Sequence, residues 1–310
     1  MKTYNFNKIQ NLKFGENSHQ EAALYNCDKE LDWTLLNGSE ILFEDFLNAT
    51  LALEISAEFY DVNAITIVKH QTPVVVALAN NLENALNKAL DSDPTSPFGA
   101  TIACSKEIDL KLAKVLCEMP INLIIAPNYE NSALEQFKKI KTIKIIKINT
   151  PLKEILSFNQ EEIKQTPFGT LIQEKNTKDL DPKTFKVTTK KKPTQQELED
   201  MIFAYKIAKH SKSCSAIIAK DLRTIGICTS QPTYDDAAVL AINKVCDSLK
   251  DSVVALDGVL SSKTFMQIMV QDRISSLIQS GGSIKDDEII EIANKYEISV
   301  VSTGITHYKH

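Results

Sequence analysis

Short apolar runs rich in β-branched residues alternate with stretches of helical spacing along most of this chain, and that alternation leaves few folds open to it. Ala64–Val68, Val74–Ala79, Ala100–Cys104, Ile121–Ala126 and Ile143–Ile148 are each of strand length, too short for a buried helix. Between them, Leu51–Tyr60, Asn81–Ala89, Asp109–Glu118 and Ser132–Lys139 read as helices. Leu82, Ala85, Leu86 and Ala89 mark the 3.6-residue period of the second. The pattern returns later. Ser215–Ala219 and Thr224–Cys228 flank Lys220-Asp-Leu-Arg223 as a hairpin, and Val253–Leu256, Ser275–Ile278 and Ile298–Val301 read as strands. Tyr234–Leu249 and Phe265–Val270 carry helical patterns. The first 30 residues read as irregular, with a turn at Gly15–His19. Strands and helices in this order predict an α/β layer fold.

At 310 residues the chain exceeds one typical core and predicts two subdomains in tandem, 1–190 and 191–310. The boundary follows a polar, charged linker, Asn176–Lys192, that ends in Lys190-Lys-Lys-Pro193. Thr194 and Glu197 then fit a capping box, and Leu198, Met201, Ile202 and Tyr205 give that helix its apolar face. A net charge of −5 argues against general attraction to nucleic acid, so the lysine run reads as a solvated connector. No apolar run approaches the roughly 20 residues of a membrane span. The N-terminus lacks the apolar core of a signal peptide, so a cytoplasmic protein is expected. Its six cysteines are then reduced, and with no paired spacing or nearby histidines they predict no metal site.

Chemistry is most legible at Lys69-His70, where a buried strand ends in an ammonium and an imidazole. Such a strand end is either solvated surface or the rim at which α/β proteins work. Both side chains can serve one pocket only if the strand has ended there, and Pro73 suggests that it has. Gly281-Gly-Ser283 precedes a helix and could hold an anion, although Asp286, Asp287 and Glu288 would weaken phosphate binding; a tight turn is the alternative. Cys214 reads either as a thiolate favoured by Lys212 or as an inert thiol. The tail His307-Tyr-Lys-His310 either frays or enters a pocket. The common hydrolase, nucleotide-hydrolysing and dinucleotide-binding motifs are missing.

Several blocks, taken in order, resemble one family. They are Leu12-Lys-Phe-Gly-Glu-Asn-Ser-His-Gln20, Leu36-Asn-Gly-Ser-Glu40, Val68-Lys-His-Gln-Thr-Pro73 and Asp93-Pro-Thr-Ser-Pro-Phe-Gly99. The segment Thr224–Gln231, Gly281-Gly-Ser-Ile284 and the tail to His310 complete the set. Together they resemble the formyltransferase half of the bifunctional purine-biosynthesis enzymes, without the preceding cyclohydrolase domain. The resemblance implies a duplicated cytidine-deaminase-like α/β fold and a homodimer. It implies formyl transfer from 10-formyltetrahydrofolate to aminoimidazole carboxamide ribonucleotide, and a potassium ion held by backbone carbonyls. It places Lys69, His70 and His310 at catalytic positions, and Lys13, Phe14, Gly99, Cys214 and Gln231 at substrate-binding ones.

The sequence also departs from the family pattern. Lys13-Phe14 replaces Arg-Tyr, which loses a bidentate phosphate contact but keeps a cation. Cys214 stands for an asparagine, Tyr234 and Thr306 for arginines, and Thr264 for an acid that contacts folate. Gly226-Ile-Cys-Thr-Ser-Gln231 has side chains where the family has glycines. Two readings therefore stand: an active formyltransferase, or a silent paralogue that keeps the fold and binds a partner or a different small anion. A transferase with an altered formyl donor is a third.

Overall fold

The computed structural model describes residues 3–26, 30–158, 161–246 and 248–310. The N-terminal segment is not irregular as its composition suggests. It forms an antiparallel hairpin of β1 (Lys8–Leu12) and β2 (Ala22–Tyr25), which makes a two-stranded sheet of its own. No position of these strands is fully buried, so neither carries the apolar pattern that marks a core strand.

The first large unit then runs β3 (Trp33–Asn37), α1 (Phe43–Ala57), β4 (Asn63–Lys69), β5 (Thr72–Ala79), α2 (Leu82–Ser92), β6 (Thr101–Cys104), α3 (Leu110–Glu118), β7 (Leu123–Ala126), α4 (Asn131–Phe137), β8 (Lys144–Ile148) and the short α5 (Leu152–Ile155). A separate hairpin follows, β9 (Glu161–Thr166) and β10 (Gly169–Glu174). The second unit runs β11 (Lys186–Val187), α6 (Gln195–His210), β12 (Ala216–Lys220), β13 (Arg223–Cys228), α7 (Tyr234–Ile242), β14 (Val253–Leu256), α8 (Lys263–Gln271), β15 (Ser276–Gln279), α9 (Asp286–Lys295) and β16 (Ser299–Ser302).

The two units repeat one topology that no letter-level similarity reveals. In the first, β4 pairs antiparallel with β5 and β6, β6–β7–β8 are parallel, and β3 closes the edge antiparallel to β8. In the second, β12 pairs antiparallel with β13 and β14, β14–β15–β16 are parallel, and β11 closes the edge antiparallel to β16. β13 joins β5 antiparallel, so one continuous sheet runs β11-β16-β15-β14-β12-β13-β5-β4-β6-β7-β8-β3. The junction is fixed by Thr224, whose hydroxyl accepts from Val76 N at 2.9 Å, and by Leu78 N donating to Leu222 O at 2.9 Å.

Helices α1 and α6 share one face of this sheet and one core, built around Ile55, Leu53, Phe203, Tyr205 and Ile207. The other face carries α2, α3 and α4 over the first unit, and α7, α8 and α9 over the second. The central strands β6, β7, β14 and β15 are buried at every position, which explains their unbroken apolar runs. Helix α1 starts well before the Leu51 suggested by apolar content. Its first turn, Phe43-Glu-Asp-Phe46, mixes acids with aromatics and so breaks the apolar pattern, and its second half is buried on all sides. The capping box at Thr194 forms as expected, with Thr194 N donating to Glu197 Oε2 at 2.7 Å and Glu197 N to Thr194 Oγ1 at 3.1 Å. Helix α7 ends at Ile242, short of Leu249. There the chain turns so that Lys244 Nζ reaches Ile227 O at 3.0 Å, over Gly226, where any Cβ would collide with Ala241 O.

Candidate active site at one end of the sheet

The β4–β5 connection is a two-residue turn with His70 (φ 49) and Gln71 (φ 56) both left-handed, the geometry of a type I′ hairpin. The strand ends at Lys69, which pairs with Thr72. Pro73 does not mark this end; it sits inside β5 opposite Val68. The register slips there, which places a residue without an amide hydrogen at an irregularity of the ladder. A carboxamide from α1 secures the turn, Asn48 Oδ1 accepting from Gln71 N at 2.7 Å. The second unit has the same device. Asp221 (φ 54) and Leu222 (φ 56) form the β12–β13 turn, and the Asp200 carboxylate of α6 accepts from Asp221 N at 3.0 Å and Leu222 N at 2.6 Å. Asn48 and Asp200 are each the sixth residue of their helix.

Lys69 and His70 leave this turn toward different neighbours. His70 is exposed, and its Nδ1 lies 2.9 Å from Glu44 Oε1 in the first turn of α1. Lys69 Nζ donates to Phe98 O at 2.7 Å, in the loop just before Gly99. The Asp93 carboxylate shapes that loop by accepting from Ser96 N at 2.8 Å and Thr95 N at 3.1 Å. Burial would raise the Asp93 carboxyl, but the hydrogen bonds from Ser96 and Thr95 outweigh it and hold it below the usual range. Gly99 (φ 74) has open space on its Cβ side.

The remaining predicted residues fall at the same end of the sheet, a consequence of strand direction. β4 ends where β5 begins, and the antiparallel steps to β13 and β12 bring the end of β13 and the start of β12 to that side. Cys214 and Gln231 meet there, with Cys214 N donating to Gln231 O at 2.9 Å and Gln231 N to Cys214 O at 3.2 Å. Burial pushes the Cys214 thiol up, and the Asp257 carboxylate adds to that, so a thiolate is not favoured. The tail after β16 packs beside it: Ser213 N donates to Lys309 O at 2.9 Å and Lys309 N to Ser213 Oγ at 3.0 Å. His310 is exposed at the end of this tail, its ring stacked on Tyr308 and its carbonyl accepting from Lys164 Nζ at 2.5 Å. Lys13 and Phe14 follow β1. Lys13 Nζ lies 5.9 Å from the Phe14 ring centroid and 3.9 Å from Glu40 Oε1, beyond the end of β3.

Three clusters therefore share one edge without merging within the chain. Lys69, His70 and Gly99 form the first, Cys214, Gln231 and the tail the second, and Lys13 with Phe14 the third. Three inter-strand steps separate β4 from β12, roughly 14 Å. Sequence reasoning missed Glu44 and Asn48, since the expected helix began after both. It also missed the part played by Asp257, which is fully buried. That carboxylate accepts from Ser213 Oγ, and from Ser215 N at 2.6 Å and Ser215 Oγ at 2.9 Å, while its backbone carbonyl accepts from His307 N at 2.7 Å. Beside it, Gly258 lies against the Tyr234 hydroxyl and the Tyr308 ring so closely that a Cβ would strike both. The Gly281–Ser283 turn is a self-filled anion site: Gly282 N donates to Asp286 Oδ2 at 2.8 Å. Five thiols are free, and Cys27 lies outside the described residues. Among the described residues, no helix is long and apolar enough to cross a membrane and no side-chain cluster could hold a metal ion.

Comparison with known proteins bears on this arrangement. Residues 1–244 match the model of the AICARFT/IMPCHase bienzyme family. The bifunctional purine biosynthesis protein PurH of Thermoanaerobacter sp. (strain X514) is 37% identical over 309 residues, covering 98% of this chain and 60% of that protein. Its namesakes from Acetivibrio thermocellus and Aquifex aeolicus are 36% and 34% identical, with the same shares covered. The chain thus spans about 60% of the length of the curated relatives it matches. On family model and relatives alike, the chain belongs to the AICARFT/IMPCHase bienzyme family.

Proposed function

We propose that this chain transfers a formyl group from 10-formyltetrahydrofolate to the amine of aminoimidazole carboxamide ribonucleotide, with His70 as proton acceptor and Lys69 as electrophile. The observation that carries this reading is the His70–Glu44 contact in a chain of this family. With Nδ1–H donated to Glu44 at 2.9 Å, the imidazole presents the lone pair of Nε2 outward, the tautomer a general base needs. As the substrate amine attacks the formyl carbon, a carbon–nitrogen bond forms and the amine proton passes to His70 Nε2. The Lys69 ammonium exchanges Phe98 O for the formyl oxygen and stabilises the charge that develops there. The bond from carbon to folate N10 then breaks and N10 takes the proton held on His70, leaving tetrahydrofolate, the formamide and a neutral imidazole.

In this reading Lys13 holds the phosphate, Phe14, Gly99, Cys214 and Gln231 line the substrate, and His310 closes the site from the tail. The roughly 14 Å between the Lys69 and Cys214 clusters favours a site completed by a second copy, in keeping with the homodimer the resemblance implies. A potassium ion would rest on backbone carbonyls. The tandem units, divided before β11 at Lys186 and not at 190/191 because that strand pairs with β16, would be cytidine-deaminase-like subdomains of a cytoplasmic enzyme that binds neither nucleic acid nor membrane.

A second reading, the silent paralogue, is favoured by one observation: the Tyr234 and Tyr308 side chains fill the space over Gly258. Turnover of 10-formyltetrahydrofolate with the carboxamide ribonucleotide separates the two. Loss of turnover in His70→Ala supports the transferase; turnover unchanged by it rejects the site, and no turnover in the wild type supports the paralogue.

A further inference from the structure

The two repeats secure their hairpin turns with the same two helix positions, but fill them with opposite polarity. In the second unit the sixth residue of α6 is a carboxylate, Asp200, which accepts from Asp221 N and Leu222 N of its turn. The second residue of α6, Gln196, donates Nε2 to Asp200 Oδ1 at 3.3 Å. In the first unit the sixth residue of α1 is the carboxamide, Asn48, and the second is the carboxylate, Glu44. There Asn48 Nδ2 donates to Glu44 Oε1 at 3.4 Å. The pair is conserved between the repeats; the charge sits one helical turn nearer the helix start in α1.

What differs between the two turns is what they carry. The first holds an imidazole, His70, where the second holds Asp221. Glu44 Oε1 receives both Asn48 Nδ2 and, at 2.9 Å, His70 Nδ1. Gln71 N can only donate, so Asn48 must present Oδ1 to the turn, which leaves its Nδ2 for Glu44. Asn48 is buried while the Glu44 side chain is half-exposed, so the amide gives a mobile carboxylate a fixed point. A carboxylate at position 48 would instead repel Glu44 across the same gap. Among the described residues Glu44 is the one ion-pair partner of the His70 ring. Lys69 is turned to Phe98 O, Asp45 is held by Lys144 at 2.5 Å and Asn122 at 2.6 Å, and Asp93 by Ser96 and Thr95.

We propose that Asn48 is a positioning residue for the proton acceptor, its single carboxamide fixing both the turn under His70 and the carboxylate on His70 Nδ1. The inference rests on the reading of His70 as base. It adds that the polarity of the Glu44–Asn48 pair, and not merely its presence, serves the imidazole.

The test gives the first unit the polarity of the second. Glu44→Gln/Asn48→Asp keeps an acceptor for the turn amide, an amide–carboxylate contact and the net charge, in the arrangement α6 already uses. It takes the carboxylate off the ring. Asn48→Asp alone does the reverse, adding a second carboxylate beside Glu44. NMR of the His70 ring at low ionic strength, where screening is weakest, reads both variants. In the wild type the neutral ring should carry its proton on Nδ1. The ring's titration should move down in pH in the double variant and up in Asn48→Asp, and the acidic limb of the pH–rate profile for formyl transfer should follow each. The urea midpoint of the double variant should stay at the wild-type value, and a residue that only capped the turn would leave ring and profile unmoved. Should the double variant not fold, Asn48→Asp and the wild-type tautomer decide. An unmoved titration in a folded variant, shifts of the same sign in both, or a wild-type proton on Nε2 overturns the proposal. Ring shifts of the expected signs in a chain without turnover, or with turnover indifferent to His70→Ala, reject the formyl-transfer reading and uphold the positioning of the ring.

Discussion

Replacing Glu58 by glutamine isolates the contact between the two repeats. The carboxylate is almost fully buried and receives Lys209 Nζ at 2.8 Å and His210 Nε2 at 3.0 Å, both from α6, with Lys206 Nζ at 4.0 Å. Burial by itself would raise its pKa; the hydrogen bond and charge of His210, then those of Lys209, overcome that and bring it down from 4.5 to about 2. A displacement of that size corresponds to about 3 kcal/mol of stability near neutral pH. Removing one member of a buried ion pair gives a similar figure, about 3 kcal/mol or slightly more, because the Lys209 ammonium is left buried without its counter-charge. Glu58→Gln should therefore lower the free energy of urea unfolding by about 3 kcal/mol at pH 7. The folded pKa lies below the unfolded one, so the stabilisation is complete above pH 4.5 and fades as pH falls toward 2. The gap between wild type and variant should close over that window. The double variant with Lys209→Met should cost less than the sum of the single changes. A gap under about 0.5 kcal/mol at pH 7, the scatter expected of surface substitutions, or one that stays constant between pH 5 and 2, would refute the reasoning.

Other outcomes follow from the geometry. Burial, then the charges of Lys209 and His210, push the imidazole of His307 down from 6.5 to about 4. The folded state thus resists a proton that the unfolded chain accepts, and stability should fall as pH drops from 6.5 toward 4. Between pH 6.5 and 4.5, above the window in which Glu58 is lost, that slope should be smaller in His307→Gln when unfolding is followed. Glu44→Gln should reduce formyl transfer by roughly 10- to 100-fold, and by nothing further in a His70→Ala background, because its action passes through the imidazole. Gly258→Ala should cost about 1–3 kcal/mol in thermal unfolding, and much of this should be recovered by Tyr308→Ala, which vacates the space the new methyl needs.

The sheet's interior was the easiest part to read from the letters, because β6, β7, β14 and β15 are buried at every position and their apolar runs have no competing explanation. The β12–β13 hairpin was legible for a similar reason. β1, β2, β9 and β10 were not: none has a fully buried position, so burial imposed no regular pattern on their side chains. Helix α1 was read only in its buried second half, which hid Glu44 and Asn48 and with them the partners of the Lys69–His70 turn. The duplication was illegible because it resides in pairing order and turn geometry, which tolerate almost any exchange of side chains. The turn at Gly281–Ser283 was recognised, but that its amide would already hold the carboxylate of Asp286 depended on the path of the chain after the glycines.

Helices α1 and α6 meet near the symmetry axis that relates the repeats, and their contacts are reciprocal. Counted from the helix starts, Glu54 corresponds to Lys206 and Glu58 to His210. Glu58 faces Lys206 at 4.0 Å, and the mirrored pair, His210 with Glu54, stands at 3.6 Å. An ancestral self-mating surface would have carried identical side chains on both halves, yet acids now occupy one and bases the other. Two copies of the leading half would set carboxylate against carboxylate, and two copies of the trailing half base against base, so each has become an obligate mate of its opposite.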